Sequence, residues 1–83
     1  MTQYINNNKK EKTMRHFEYK DLTTNSYKFW DIKVISKEVV VSYGRIGIEN
    51  PAVNTKKFSS KEEAKKYFEK KIKEKTSKGY QEH

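Results

Sequence analysis

The residues best suited to chemistry in this chain are Tyr43, Gly44 and Arg45, which close its most β-prone run, Val39–Tyr43. Arg45 is one of two arginines in a chain with 17 lysines. A guanidinium offers a rigid fork of donors that fits phosphate or carboxylate, which an ammonium does not. Glycine lets a ligand or another backbone approach closely, and an exposed aromatic ring can stack on a base. The pattern indicates a site for an anionic or planar ligand. The simpler alternative is a strand that ends in a glycine turn.

Basic charge is the second feature that bears on function. The chain carries a formal net charge of +8, and its last 31 residues hold ten lysines against five glutamates. A basic surplus in a small domain favours nucleic acid or another polyanion as partner. We therefore add four lysines to Tyr43, Gly44 and Arg45 as candidate nucleic-acid contacts, with DNA favoured over RNA. These four are Lys56, Lys57, Lys61 and Lys65. The alternative is that such lysines only form a solvated surface.

Catalytic and metal-binding patterns are missing from the sequence. His16 falls on the polar side of a predicted strand, and neither it nor His83 has a Ser, Cys or acidic partner at a recognisable spacing. The chain has no cysteine, so neither a disulfide framework nor a zinc knuckle can form. We expect no enzymatic activity, no cofactor, no metal site and no small-molecule substrate.

Apolar segments are short throughout the chain. No apolar run approaches the roughly 20 residues that a membrane span needs. The first thirteen residues contain no apolar core of a signal peptide. We therefore expect a cytoplasmic protein without a membrane partner.

Strict alternation of apolar and polar residues predicts four strands. They cover residues 15–20, 27–35, 38–46 and 53–58, the last being the weakest. The turn clusters between them, such as Ser36-Lys37, predict short antiparallel connections.

A helix is predicted after the fourth strand. Ser60 and Glu63 have the spacing of a capping box. An apolar stripe follows at helical spacing, consisting of Ala64, Tyr67, Phe68 and Ile72, and Gly79 is placed to end the helix. Four strands and then a helix predict an α+β domain: one antiparallel four-stranded sheet with one C-terminal helix packed across one face. We assign this domain to residues 14–82. The Asn- and Lys-rich residues 1–13 are predicted to be a disordered tail.

Five separated blocks of the sequence resemble a WGR domain in order and spacing. They are Arg15–Tyr19, Ser26–Ile32, Tyr43–Gly47, Thr55–Phe58 and Ser59–Ala64, and Lys78-Gly79-Tyr80 fits the end of the domain. The resemblance covers residues 14 to about 82. The most similar members of the family are bacterial WGR domains of the molybdate-regulator-like kind. It implies an antiparallel sheet with a packed helix.

The resemblance also implies a function. In poly(ADP-ribose) polymerases the WGR domain binds DNA at breaks. There the motif tryptophan packs on the terminal nucleotide and the motif arginine contacts neighbouring protein domains. In this chain Tyr43 takes the tryptophan position and Arg45 the arginine position; tyrosine keeps an aromatic face but offers less stacking area. We therefore predict a non-enzymatic nucleic-acid-binding module. The alternative is a protein-interaction module in which Arg45 pairs with a partner's carboxylate.

Overall fold

The computed structural model describes residues 13–83, which fold as five strands and one helix. The elements are β1 (Met14–Asp21), β2 (Ser26–Ile35), β3 (Glu38–Arg45), β4 (Ala52–Lys57), α1 (Lys61–Ser77) and β5 (Gln81–Glu82). The strands form one sheet in the order β4-β3-β2-β1-β5, and every neighbouring pair is antiparallel. The α+β class and the single C-terminal helix are confirmed.

The predicted count of four strands is wrong, because β5 adds a fifth strand beside β1. Gly79, at a φ of +105°, turns the chain away from α1. Tyr80 then packs on Tyr19 with ring centroids 5.4 Å apart, and the His83 amide donates to the His16 carbonyl at 2.9 Å. A strand of two residues has no alternation from which it could be predicted.

The predicted disordered tail, residues 1–13, falls almost entirely outside the described residues. Only Thr13 is described, and its carbonyl accepts a hydrogen bond from the Val34 amide at 3.0 Å. The ordered ladder of β1 and β2 therefore extends one residue before Met14.

The start of α1 follows the capping signal closely. The Ser60 hydroxyl accepts a hydrogen bond from the Glu63 amide at 3.1 Å. The Glu63 carboxylate accepts from both the amide and the hydroxyl of Ser59, at 3.2 and 2.7 Å. This satisfies amide groups that have no partner within the helix, so the boundary between β4 and α1 is fixed by local chemistry.

The sheet has two different faces. The helix face carries Phe17, Trp30, Ile32 and Val39 and is packed against α1, whereas the open face carries the intervening residues, such as His16 and Phe29, with no element of residues 13–83 over them. The core that residues 13–83 form lies on the helix face. Its buried side chains are Phe17, Trp30, Ile32, Val39, Ala64, Phe68 and Ile72. No helix in the described part of the chain is long and apolar enough to cross a bilayer.

Candidate functional site

Tyr43 lies near the end of β3 on the helix face. Its neighbour on β2 is Trp30, and its neighbour on β4 is Ala52. Trp30 is 3% exposed, because Phe17 packs against it with ring centroids 5.6 Å apart and Lys75 lies above its ring. Tyr43 is 46% exposed. An alanine side chain is too small to cover the tyrosine ring from β4, so the ring stays open to solvent.

A groove of about 410 Å³ runs between this part of the helix face and one flank of α1. We call it the lysine groove. Strand residues supply the floor and one wall, and α1 with the segment after it supplies the other. The lining residues are Lys28, Phe29, Trp30, Val39, Val41, Tyr43, Gly44, Asn54, Thr55, Lys56, Tyr67, Lys71, Lys75 and Tyr80. The set contains four lysines and no carboxylate.

Aromatic rings hold the lysine side chains of the groove in place. The Lys75 Nζ lies 5.6 Å from the Trp30 ring centroid and 5.2 Å from that of Tyr80. Lys56 and Lys71 lie over the Tyr67 ring at 5.2 and 5.8 Å. An ammonium over a ring face gains cation–π attraction, while its N–H groups keep the capacity to donate to an anion.

Lys75 is half-buried close to other positive charges. Burial lowers the pKa of its ammonium, and the charges of Lys78, Lys71 and Lys28 lower it further. Among the described residues, Lys71 is the one groove lysine with a carboxylate partner, Glu74 at 3.0 Å. A bound anion would relieve the repulsion among these side chains, so the groove is electrostatically prepared for a negative ligand.

A second depression, of about 480 Å³, shares Lys28, Lys75 and Tyr80 with the lysine groove. It continues past the end of α1, where Lys78 lines it, toward the β1–β2 turn. Asp21 is the carboxylate in its lining, and that carboxylate accepts hydrogen bonds from the amide and the hydroxyl of Thr23 at 3.0 and 2.7 Å. The two depressions therefore form one basic surface along the same flank of α1.

The predicted site residues do not all lie together. Tyr43, Gly44 and Lys56 line the lysine groove. Arg45 is opposite Lys28 on the same face, exposed at the strand end beyond the groove. Among the described residues its side chain forms no hydrogen bond or ion pair. Lys57 points to the open face, where its Nζ lies 4.0 Å from a Glu38 oxygen.

Two further predicted contacts, Lys61 and Lys65, lie on the other flank of α1. Each helical residue turns by about 100° around the axis, which separates both lysines from the flank that Tyr67, Lys71 and Lys75 share. Neither lines the groove.

Gly44 serves the open face as well as the groove. A Cβ atom there would lie 3.1 Å from Cγ2 of Ile48 and 3.8 Å from Cε1 of Phe29. The close approach that this glycine permits is therefore that of the Ile48 side chain, which folds back after the turn at Gly47. Gly47 itself has a φ of +93°, a conformation that favours glycine.

Four residues that line the groove are not among the predicted contacts: Lys28, Tyr67, Lys71 and Lys75. The sequence holds a signal for each of them. Tyr67, Lys71 and Lys75 recur every four residues, so they form a row along one side of the buried stripe. Lys28 alternates with Trp30 and therefore shares its face of the sheet.

Residues 13–83 match the WGR domain family, which is most of the chain. The chain belongs to the WGR domain family. A crystal structure of a Bacteroides fragilis protein superposes on this WGR domain with a TM-score of 0.78 at 43% sequence identity. The match covers 84% of this chain and 19% of that one, so the WGR domain spans about a fifth of the relative's length. No curated protein matches the chain. WGR domains are a nucleic-acid-binding type of module.

Proposed function

We propose that this chain is a non-enzymatic WGR module that binds nucleic acid, with DNA as the favoured ligand. The observation that carries the proposal is the lysine groove: four lysines meet there without a carboxylate in the lining, beside a tyrosine that is 46% exposed. Phosphates need the cations, and a base or sugar needs the aromatic face. The family to which the chain belongs supports the same ligand class.

The proposed roles follow from position. Lys28, Lys56, Lys71 and Lys75 contact phosphates, and Tyr43 packs on a nucleotide in the place of the family's tryptophan. Gly44 lines the groove beside Tyr43, and its missing side chain leaves room for Ile48 on the open face. Arg45 extends the basic surface past the end of the groove, where its fork of donors can hold one phosphate through two hydrogen bonds.

The lysines outside the groove are given a smaller role. Lys57 is on the open face near Glu38, and Lys61 and Lys65 are on the far flank of α1. We propose that they add only longer-range attraction, which salt screens over about 10 Å.

The neighbours Lys56 and Lys57 provide a matched test, because they point to opposite faces of β4. Binding of a fluorescent DNA is measured by anisotropy at about 50 and 200 mM salt. Lys56→Gln should weaken binding. The slope of log affinity against log salt concentration, the salt slope, should fall by roughly the amount due to one phosphate contact. Lys57→Gln removes the same charge and should change both quantities much less. Equal effects of the two substitutions would show that only net charge matters, and no measurable binding at low salt would refute the function.

The exposed Arg45 favours a second candidate function, a protein-interaction module. Its guanidinium is unpaired among the described residues, whereas Arg15 forms a two-bond pair with Glu82 at 2.9 and 2.6 Å. The second function predicts that Arg45→Ala leaves DNA affinity intact. It also predicts that Arg45→Ala and Arg45→Lys both abolish binding to a carboxylate-rich protein partner. If both results are obtained, the second function replaces the first.

A further inference from the structure

We propose that the lysine groove takes an unpaired stretch of nucleic acid rather than a duplex. This inference rests on the proposed function and narrows its ligand. It follows from three features of the groove: its concave shape, the depth of its central lysine and the placement of its aromatic rings.

The shape of the site is the first argument. The groove is a recess between α1 and the sheet, with walls from both. Proteins that read duplex DNA usually insert a projecting helix or ribbon into the major groove, which is about 12 Å wide. Here α1 is packed on the sheet through Ala64, Phe68 and Ile72, and the cations lie in the recess beside it. A rigid duplex would rest on the rim, whereas a flexible single strand can enter.

The depth of Lys75 is the second argument. Its side chain is half-buried, and its Nζ lies over both Trp30 and Tyr80. This ammonium lines both the groove and the second depression, so a phosphate reaches it within the recess between α1 and the sheet. The backbone of a single strand can bend into such a space, because its bases are not held to a second strand.

Stacking is the third argument. In a duplex the faces of the bases are already covered by their neighbours, so an exposed aromatic ring has little to pack on except at an end. The Tyr43 ring is exposed. The same face carries Lys28, two residues along β2 from the residue opposite Tyr43, and Lys56, four residues along β4 from the residue opposite Tyr43. Aromatic rings interleaved with cations are the arrangement by which proteins bind single strands without strong sequence preference.

The length of the surface fits a short segment. From Tyr67 to Lys78 the helix flank and its cap rise about 16 Å at 1.5 Å per residue. That is room for a few extended nucleotides, at the low end of the roughly 4–16 nucleotides that single-strand-binding domains cover.

The test compares three labelled DNAs by anisotropy at low salt: oligothymidine of about 12 nucleotides, a blunt duplex, and a duplex whose two ends are each closed by a short ethylene-glycol linker. The linkers contain no nucleotides, so the closed duplex offers paired DNA with neither free ends nor unpaired bases. We expect the oligothymidine to bind at least about tenfold more tightly than either duplex. Its salt slope should be about 0.7 per phosphate contact.

Lys75→Gln and Lys73→Gln form the matched pair of variants. Both remove one charge from α1, but Lys75 lines the groove whereas Lys73 is exposed on the outer side of the helix. Lys75→Gln should weaken oligothymidine binding at least about fivefold more than Lys73→Gln does. The weak binding to the closed duplex should change equally in both variants. Circular dichroism checks that both variants remain folded.

Each other outcome overturns the inference. If the closed duplex binds as tightly as oligothymidine, the ligand is paired DNA and the proposed function stands without the inference. If the blunt duplex alone binds tightly, the site recognises ends. If Lys75→Gln and Lys73→Gln behave alike on oligothymidine, the groove is not where the strand lies. If none of the three DNAs binds, the proposed function fails as well.

Discussion

The two faces of the sheet carry similar charged residues but arrange them differently. On the open face, opposite charges are paired: His16 lies between Asp31 and Glu18, the latter at 2.8 Å, and Lys20 is 3.4 Å from Glu18. On the helix face, Lys28 and Lys75 contact aromatic rings and form no ion pair among the described residues. The charged groups named on the open face are paired with one another, whereas these two groove lysines lie against aromatic rings instead. The position of a lysine therefore says more about function than the net charge does.

The largest expected effect tests whether stability depends on the helix face. Phe68 is 4% exposed in the core, so Phe68→Ala should reduce the free energy of unfolding by about 3–5 kcal/mol. Phe29→Ala makes the same change on the open face, where the ring is half-buried, and should cost clearly less. Urea unfolding followed by tryptophan fluorescence measures both. Equal losses would mean that the open face is as much a core as the helix face.

The next effect separates binding from stability. Tyr43→Ala should weaken nucleic-acid binding by about 1–3 kcal/mol, the typical value of one stacked base. Because stacking is not ionic, the salt slope should stay the same. Tyr27→Ala on the open face is the matched control and should leave affinity unchanged. Tyr43→Trp, which restores the family residue, should hold or tighten binding. A Tyr43→Ala variant with full affinity would remove this ring from the site.

A smaller effect should appear in the pH dependence of stability, and it belongs to the open face. Hydrogen bonds to Glu18 and Asp31 raise the pKa of His16 above its usual 6.5. The stabilisation is fully present below pH 6.5 and is lost as the pH rises through the raised value. The same His16 contact lowers the pKa of Glu18 below 4.5, so its contribution is present above pH 4.5 and lost on acidification through the lowered value.

The measurement is the melting temperature between pH 5 and pH 9, pH values that bracket the usual histidine pKa of about 6.5. The wild-type protein should lose stability from about pH 6.5 upward, and His16→Gln should flatten this part of the profile. Nucleic-acid affinity should depend on pH in the same way in the wild-type and His16→Gln proteins, because His16 and its carboxylate partners are on the face away from the groove. A profile that His16→Gln does not alter would assign the pH dependence to other groups.

The smallest effect concerns the beginning of the chain. A chain that starts at Thr13 should melt within about 2–4 °C of the full-length protein, as expected for surface changes of about 0.5 kcal/mol. Starting at Met14 removes the carbonyl that accepts from the Val34 amide and should cost slightly more. A much larger loss in the first case would show that residues 1–12 contribute to the folded domain.

Most of the fold could be predicted because local signals agreed with one another. Alternation identified β1 to β4, and the Ser60 and Glu63 pair placed the start of α1. The second strand shows why this works: Trp30 and Ile32 are buried while Asp31 between them is not. Prediction failed at β5, where two residues gain their structure from pairing with Phe17 and Glu18 rather than from their own pattern.

The candidate site could be predicted only in part. Tyr43 and Gly44 stood out by type, and Lys56 by its charge, and all three line the groove. Lys71 and Lys75 did not stand out among the many lysines of α1. Their importance depends on how the helix lies across the sheet, which brings them near Lys28 from a distant strand. The angle between a helix and a sheet results from packing of the whole core, and one-dimensional periodicity does not contain it.

The pairing of β5 with β1 has a consequence for architecture. It places His83 beside His16, so the chain enters and leaves the domain at nearly the same edge. A domain built in this way can be inserted between other segments of a longer polypeptide with little disturbance to its neighbours. The Bacteroides fragilis relative, in which the matching region makes up 19% of the chain, is compatible with such use. The same adjacency should allow the ends to be joined by a short linker and new ends to be opened at the β2–β3 turn.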